Sequence, residues 1–292
     1  MNKKMSKADW IIETFLILIG VIILVVILYP LLNMVAESLS ATGPVKRGEI
    51  GIWPKQFTLE AYKVVLTNTK ILRALGNSIF LTIVDCIAKI FMVYLAAYPL
   101  AHCDFPGKKA WSLLIMVAMW ISAGTIPRFM TIKDLGLYDT YFALILLGLV
   151  SPYNIMVTRN FLKGIPKELV DSARVDGAKE FRIMWSIMAP LSKPIFATLA
   201  IWTISGTWNS YMEPTIYLAS SEKFVLQQVL RSIVLEAEFA AFDMAASAQG
   251  SADISYQIAS AVVIVSTIPM IIMYPFAQKH FVKGAVVGSV KG

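Results

Sequence analysis

The stretch Ile165–Pro194, IPKELVDSARVDGAKEFRIMWSIMAPLSKP, decides how the rest of the chain is read. It lies between long apolar runs, yet it is charged, helical in pattern and interrupted by Gly177. Pro166 suits the first position of a helix, where its missing N–H costs nothing, and Glu168 and Asp171 favour the positive end of the helix dipole. That first helix, carrying Val170 and Ala173, ends at Asp176–Gly177, where glycine can take the positive φ of a tight reversal. A second helical pattern follows, with Phe181, Met184, Ile187 and Met188 on one face up to Pro190. Neither piece is long enough to cross a bilayer. Two short helices about a glycine, with an apolar ridge displayed in water, suit the groove of another protein. The bland alternative is an amphipathic loop lying on the membrane surface.

Outward from this loop the chain is a membrane protein by composition. It is 57% hydrophobic and 15% charged, against about a quarter charged for soluble domains. Apolar runs cover about Trp10–Leu32, Arg73–Ala101, Ala110–Pro127, Leu137–Val157, Leu191–Ala219 and Tyr256–Ala277. The first follows Lys3, Lys4 and Lys7 and is longer than a signal h-region, so it reads as a retained span. This organises the chain as a short N-terminus (1–9), a six-span body (10–282) that includes the 165–190 loop, and a tail (283–292).

An N-terminus inside places both ends and the central loop in the cytoplasm, and most Lys and Arg agree, Arg174, Lys179 and Arg182 among them. The first outer loop, with Lys46, Arg47, Lys55 and Lys63, is a partial exception. The net charge of +7 therefore reads as topology, not as nucleic-acid binding. Cys86 and Cys103 do not suggest a disulfide framework. With His102 and His280 as the histidines and no H-E-x-x-H or C-x-x-C, no metal site is expected. No phosphate-binding G-x-x-x-x-G-K-[ST] loop is present, so the chain is not itself a P-loop ATPase.

Polar groups inside the spans mark where function can sit. Asp85 and Lys89 are one helical turn apart, the spacing of an intrahelical ion pair, and a packing role is the favoured reading. In the fifth span Thr198, Trp202, Ser205, Asn209 and Glu213 recur at steps of three or four and form a polar stripe. Such a stripe should face protein or a wet cavity, since lipid would leave its polar groups unsatisfied. Trp202, Trp208 and Tyr211 offer flat apolar faces, and Ser205 and Asn209 hydrogen-bonding groups, to a solute. Simple packing is the alternative for each tryptophan.

These motifs carry a family resemblance. Asp171-Ser172-Ala173, Gly177, Ile187 and Pro190 resemble the EAA signature of ABC importer membrane subunits, with Asp171 for the usual Glu, Ser172 for the first Ala, and Ala189 where Leu often precedes the Pro. IWPKQFTLEAYKVVL (52–66) is similar to the first external loop of carbohydrate permeases. WTISGTWNSYMEPTIYL (202–218) resembles maltose-type permeases, and KHFVKGAVVGSVKG (279–292) resembles the family's tail.

The resemblance implies an all-α, six-helix permease of the type I importer fold in the oligo- or polysaccharide branch, working by alternating access in a bacterial plasma membrane. It implies no directly bound cofactor, with ATP and Mg on two partner ATP-binding subunits. A second, different permease subunit and an extracellular substrate-binding protein would complete the assembly. The implied ATPase-coupling residues are Asp171, Ser172, Ala173, Gly177, Phe181, Met184, Ile187 and Pro190. The implied path residues are Asn209 and Trp202, then Trp208, Ser205, Tyr211 and Glu213. An importer subunit for a non-sugar solute, an ion-coupled secondary transporter and a non-transporting scaffold are the competing readings. The topology is directly testable: a Lys179→Cys variant should react with a membrane-impermeant thiol reagent only in inside-out vesicles, and labelling from outside intact cells would overturn the orientation.

Overall fold

A computed structural model describes the backbone of residues 7–246 and 255–289 and the side chains of 10–237, 256–273 and 275. Most of the N-terminal segment, Asp253 and the side chains of Asp243 and of the tail lie outside that description. The described chain is helical, with no strand among the described residues. It divides into two compact units, residues 1–72 with 230–268, and residues 73–229 with 269–292.

In the first unit α1 (Lys7–Ser38) is apolar all round, and its side chains from Trp10 to Leu32 are exposed. A helix hydrophobic on every face, uncovered by protein, belongs against lipid. Beyond it come α2 (Thr42–Lys46) and α3 (Glu60–Thr67). Polar contacts pin the end of α1: Ser38 Oγ meets Tyr62 OH at 2.8 Å, and Ser260 Oγ donates to Glu37 Oε2 at 2.9 Å. Gln257 donates to the carbonyl of Ser40 and accepts from Thr42 Oγ1.

The second unit is built on α4 (Thr69–His102), whose 34 residues run without a break. The succeeding helices are α5 (Lys108–Ala118), α6 (Thr125–Asp134), α7 (Tyr141–Leu149), α8 (Pro152–Lys163) and α9 (Glu168–Val175). Next come α10 (Glu180–Arg182), a π-helical segment (Ile183–Met188), α11 (Ala189–Leu191), α12 (Lys193–Trp208) and α13 (Met212–Tyr217). A 3₁₀ turn (Ser221–Lys223) follows; α14 (Leu226–Ala246) and α15 (Ser255–Ser289) come next in the chain, and their residues 230–268 belong to the first unit.

The six expected spans are only partly single helices. Three described helices are long and apolar enough to cross a membrane, and two bent pairs raise this to five: α7 with α8, bent 49°, and Glu180–Leu191 with α12, bent 75°. Prolines explain both bends, because Pro152 and Pro194 remove a donor and force a restart of the helix. The expected third span is broken outright. α5 ends at Ala118, and Gly124, at φ +77°, starts α6 in a new direction. The fifth span stops at Trp208 and resumes at Met212, so the stripe from Thr198 to Glu213 does not lie on one helix.

One apolar core joins α4 to the Ile165–Pro194 loop, with Tyr94, Tyr98, Leu162, Val170, Ile183, Met188 and Leu199 essentially buried. The ridge read from sequence is therefore largely internal: Met184 and Met188 are buried, and Tyr94 OH donates to the Met184 carbonyl at 2.6 Å. The π-helical widening just before Pro190 changes which residues face inward, and a 3.6-residue count cannot anticipate it. A second core holds Leu81, Ile132, Leu144, Tyr217 and Val225. Beside it Asp139, at φ +59°, clamps two loops: Oδ1 accepts from Ala219 N (2.9 Å) and Ser220 N (3.0 Å), and Oδ2 from Lys223 Nζ (2.8 Å).

Those donors, Lys223 foremost and then Ser220, hold the Asp139 carboxyl well below the usual carboxylate range. The depressed value makes the clamp's stabilisation complete above the ordinary aspartate range near 3.8, and it is lost only as pH falls through the lower folded value. Asp139→Ala should abolish hydrogen-exchange protection at Ala219 and Ser220, whereas in the wild type protection corrected for intrinsic exchange should be flat from about pH 8 to pH 5. A decline already at pH 6 would refute the clamp.

Candidate functional site

The loop after α8 is organised by Arg174. Its guanidinium donates to Glu180 Oε1 at 2.7 Å, to Asp171 Oδ1 at 3.3 Å and to the His102 carbonyl at 3.1 Å. The hydrogen bond that Arg174 donates to Glu180, and the charge of that carboxylate, raise the affinity of Arg174 for its proton. Glu180 Oε2 also accepts from Tyr98 OH at 2.9 Å. The reversal between α9 and α10 is made by Gly177 at φ +77°, a backbone state that L side chains rarely adopt. Loop and α4 end are thus one hydrogen-bonded body. Val175 (87%) and Phe181 (70%) are its outward apolar groups.

Of the residues expected to couple to an ATPase, Asp171, Ser172, Gly177, Phe181 and Pro190 are exposed, Ile187 is half-buried, and Ala173 and Met184 are buried. The structure brings Asp171 and Ala173 together with Arg174, Glu180 and Tyr98, which sequence reasoning missed. Opposite charges at Asp171 and Arg174, three residues apart, were the available signal; Glu180 lies beyond the Gly177 reversal, where spacing carries no such information.

Higher in the same unit, three helical segments enclose a cavity of about 470 Å³. α4 contributes Asp85 and Lys89, the α7–α8 corner contributes Gly148, Ser151 and Asn154, and α12–α13 contribute Trp202, Thr207, Ser210 and Glu213. Lys89 Nζ lies 2.9 Å from Asp85 Oδ2, and Thr207 Oγ1 donates to the same oxygen at 2.5 Å. Asp85 is 3% exposed, and its Oδ1 is buried without a hydrogen-bond partner. Gly148 makes room for the ammonium: a Cβ there would stand 2.6 Å from Lys89 Nζ. Trp202 is 37% exposed, with the Tyr153 ring 5.8 Å away.

The expected path residues scatter. Trp202 and Glu213 line the cavity, and Glu213 also meets Arg128 at 3.2 Å. Trp208 is buried and lines a separate apolar recess with Cys86 and Ile204. Asn209 ends α12 and turns its Nδ2 back to the Ser205 carbonyl at 2.9 Å. Ser205 and Tyr211 are half-buried and do not line the cavity. Thr207 and Gly148 were missed from sequence, although a lone glycine in an apolar run can signal close approach of another group. No group of three His, Cys, Asp or Glu able to hold a metal is found among the described residues.

Long apolar helices, a polar cavity lined from α4, α7–α8 and α12–α13, and a hydrogen-bonded loop fit a solute-translocating membrane subunit. Residues 2–286 match the family described as binding-protein-dependent transport system inner membrane component, and the chain belongs to that family. It is 38% identical to Protein LplC of Bacillus subtilis (strain 168) over 90% of this chain and 89% of that protein. It is 35% identical to the polygalacturonan/rhamnogalacturonan transport system permease protein YtcP of the same organism over 97% and 98%. A crystal structure of a bacterial ABC transporter involved in import of the acidic polysaccharide alginate superposes with a TM-score of 0.86 at 28% identity, covering 96% of this chain and all of that one. The fold is that of a type I ABC importer permease.

Arg174 should carry motion between the loop and α4. In the assembled importer, Arg174→Ala should lower binding-protein-stimulated ATP hydrolysis about tenfold, the scale of a coupling free energy of 1–3 kcal/mol. Arg174→Lys should restore it only in part, because an ammonium cannot serve three acceptors as a planar fork does. Unchanged stimulation in Arg174→Ala at equal membrane abundance would exclude this role.

Proposed function

We propose that this chain is one of two different permease subunits of an ABC importer that moves an oligosaccharide or polysaccharide fragment into the cytoplasm. The observation that carries the reading is the whole-length similarity to permeases named for such sugars, joined to a polar cavity with an aromatic wall. Two ATP-binding subunits, which hold ATP and Mg, would dock on the Asp171–Pro190 segment from the cytoplasm, and an extracellular binding protein would deliver the sugar on the other side. Both termini then face the cytoplasm. Closure of the ATPase pair moves the loop, Arg174 and Glu180 pass that movement to α4, and the cavity wall formed by α4 shifts against α7–α8 and α12. Trp202 and Glu213 are the path residues that this arrangement favours; Asn209, Ser205, Tyr211 and Trp208 would contribute only in another state of the cycle.

Gly177 offers the sharpest test of the docking role. Nothing lies within 4 Å of a Cβ built there, so substitution meets backbone strain of roughly 1–2 kcal/mol but no clash. Gly177→Ala carries that strain alone, whereas Gly177→Asp adds a charge at the docking face. Gly177→Asp should insert normally yet lose co-purification with the ATPase and lose sugar uptake, with Gly177→Ala keeping most of both. Normal sugar-stimulated ATP turnover in Gly177→Asp would show that the loop is not the docking element.

A further inference from the structure

We propose that Asp85 and Lys89 form a saccharide subsite that reads a pair of adjacent ring hydroxyls, one donating to the carboxylate and one accepting from the ammonium. The inference rests on the saccharide-importer reading and adds to it the residues and the chemical feature they recognise.

The observations are local and independent of the family. A buried ion pair that served packing alone would have its polar groups satisfied, because an unpaired buried oxygen costs about 1–3 kcal/mol. Here one oxygen of Asp85 takes both donors, from Lys89 and Thr207, while Oδ1 has none. The carboxylate torsion is soft, so a partial turn about χ2 that exchanges the Thr207 contact for a ligand hydroxyl presents an oxygen to the cavity that Asp85 lines. Lys89 has three N–H donors, and its hydrogen bond among the described residues is the one to Asp85. Its side chain is 18% exposed on the same cavity wall.

A free acceptor beside free donors on adjacent groups matches a vicinal diol, in which one hydroxyl gives a proton and its neighbour takes one. Neutral pyranoses and uronic acids both carry such a pair, so the subsite reads hydroxyl pattern and leaves the sugar's net charge to other contacts. Trp202 supplies the apolar face on which a ring can stack, and about 470 Å³ lies in the range of small-ligand pockets. Gly148 belongs to the device, since the ammonium occupies the space where any side chain would begin.

The test uses the complete importer, with both permeases, the ATPase pair and the binding protein, in proteoliposomes. Labelled maltotriose, arabinotriose and trigalacturonate are the first probes, followed by single-deoxy forms of whichever one is imported. In the wild type, removing either hydroxyl of one adjacent pair should lower import kcat/KM about tenfold, the scale of one lost hydrogen bond. In Asp85→Leu/Lys89→Met, which replaces the charges as a unit and so spares the fold, parent and deoxy sugars should be imported within about twofold of each other. Retained discrimination in this double variant overturns the subsite.

Gly148→Ala guards against a double variant that fails to assemble: it displaces Lys89 and should raise the KM for the imported sugar several-fold, and an unchanged KM overturns the proposal. Loss of wild-type uptake on dissipating sodium and proton gradients at saturating ATP would make the pair an ion relay and overturn it as well. If the wild type imports none of the three sugars, the saccharide reading itself fails and the inference falls with it, before any variant is compared.

Discussion

The guanidinium of Arg174 ties the Ile165–Pro194 loop to the end of the helix whose other half lines the cavity. By bonding Asp171, Glu180 and the His102 carbonyl, it makes the loop continuous with the end of α4. From His102 back to Lys89 is about 20 Å of unbroken helix at 1.5 Å per residue. Pro99 removes one i→i−4 bond within that length, but the helix continues through it, so one continuous element joins the loop's end to the cavity wall. The interaction is partly exposed and contributes little to stability as a surface ion pair. Its importance is geometric: three acceptors from two segments are fixed by one planar group.

Connection through the chain itself is a weaker route. The segment following the loop passes through the π-helical turn, Pro190 and a 75° bend before it becomes α12. Each of these breaks the regular i→i−4 ladder and lets one side move without the other. The hydrogen bonds and the apolar core tie the loop to α4 as well as to the segment that follows it in sequence. The buried faces of Tyr94 and Tyr98 and the π segment's burial against them keep loop and α4 in contact.

The cavity exists because its walls are interrupted. α7–α8 bends at Val150–Ser151 and α12 ends at Trp208, and the freed backbone and small polar side chains face inward, away from lipid, as backbone irregularity in a membrane requires. A charged pair in such a place is expensive unless it is paired or hydrated. Asp85 and Lys89 meet this with each other, with Thr207 and with the cavity.

The sequence by itself determined the membrane class, the helix-only architecture, the glycine reversal at Gly177 and the Asp85–Lys89 pair. These follow from composition, from φ preference and from spacing of three or four, all of which are local. The family resemblance was legible for the same reason, since its motifs are short and contiguous. The tertiary structure alone decided that Met184 and Met188 are core, that Asn209 caps a helix end, that Arg174 reaches the end of α4 and that Gly148 abuts Lys89. Each of those depends on a partner far along the chain: Met184 on Tyr94, Arg174 on His102, Gly148 on Lys89. Helical periodicity assigns a residue to a face, but a widened turn or a proline bend rotates that face, and only packing against another helix fixes what it meets.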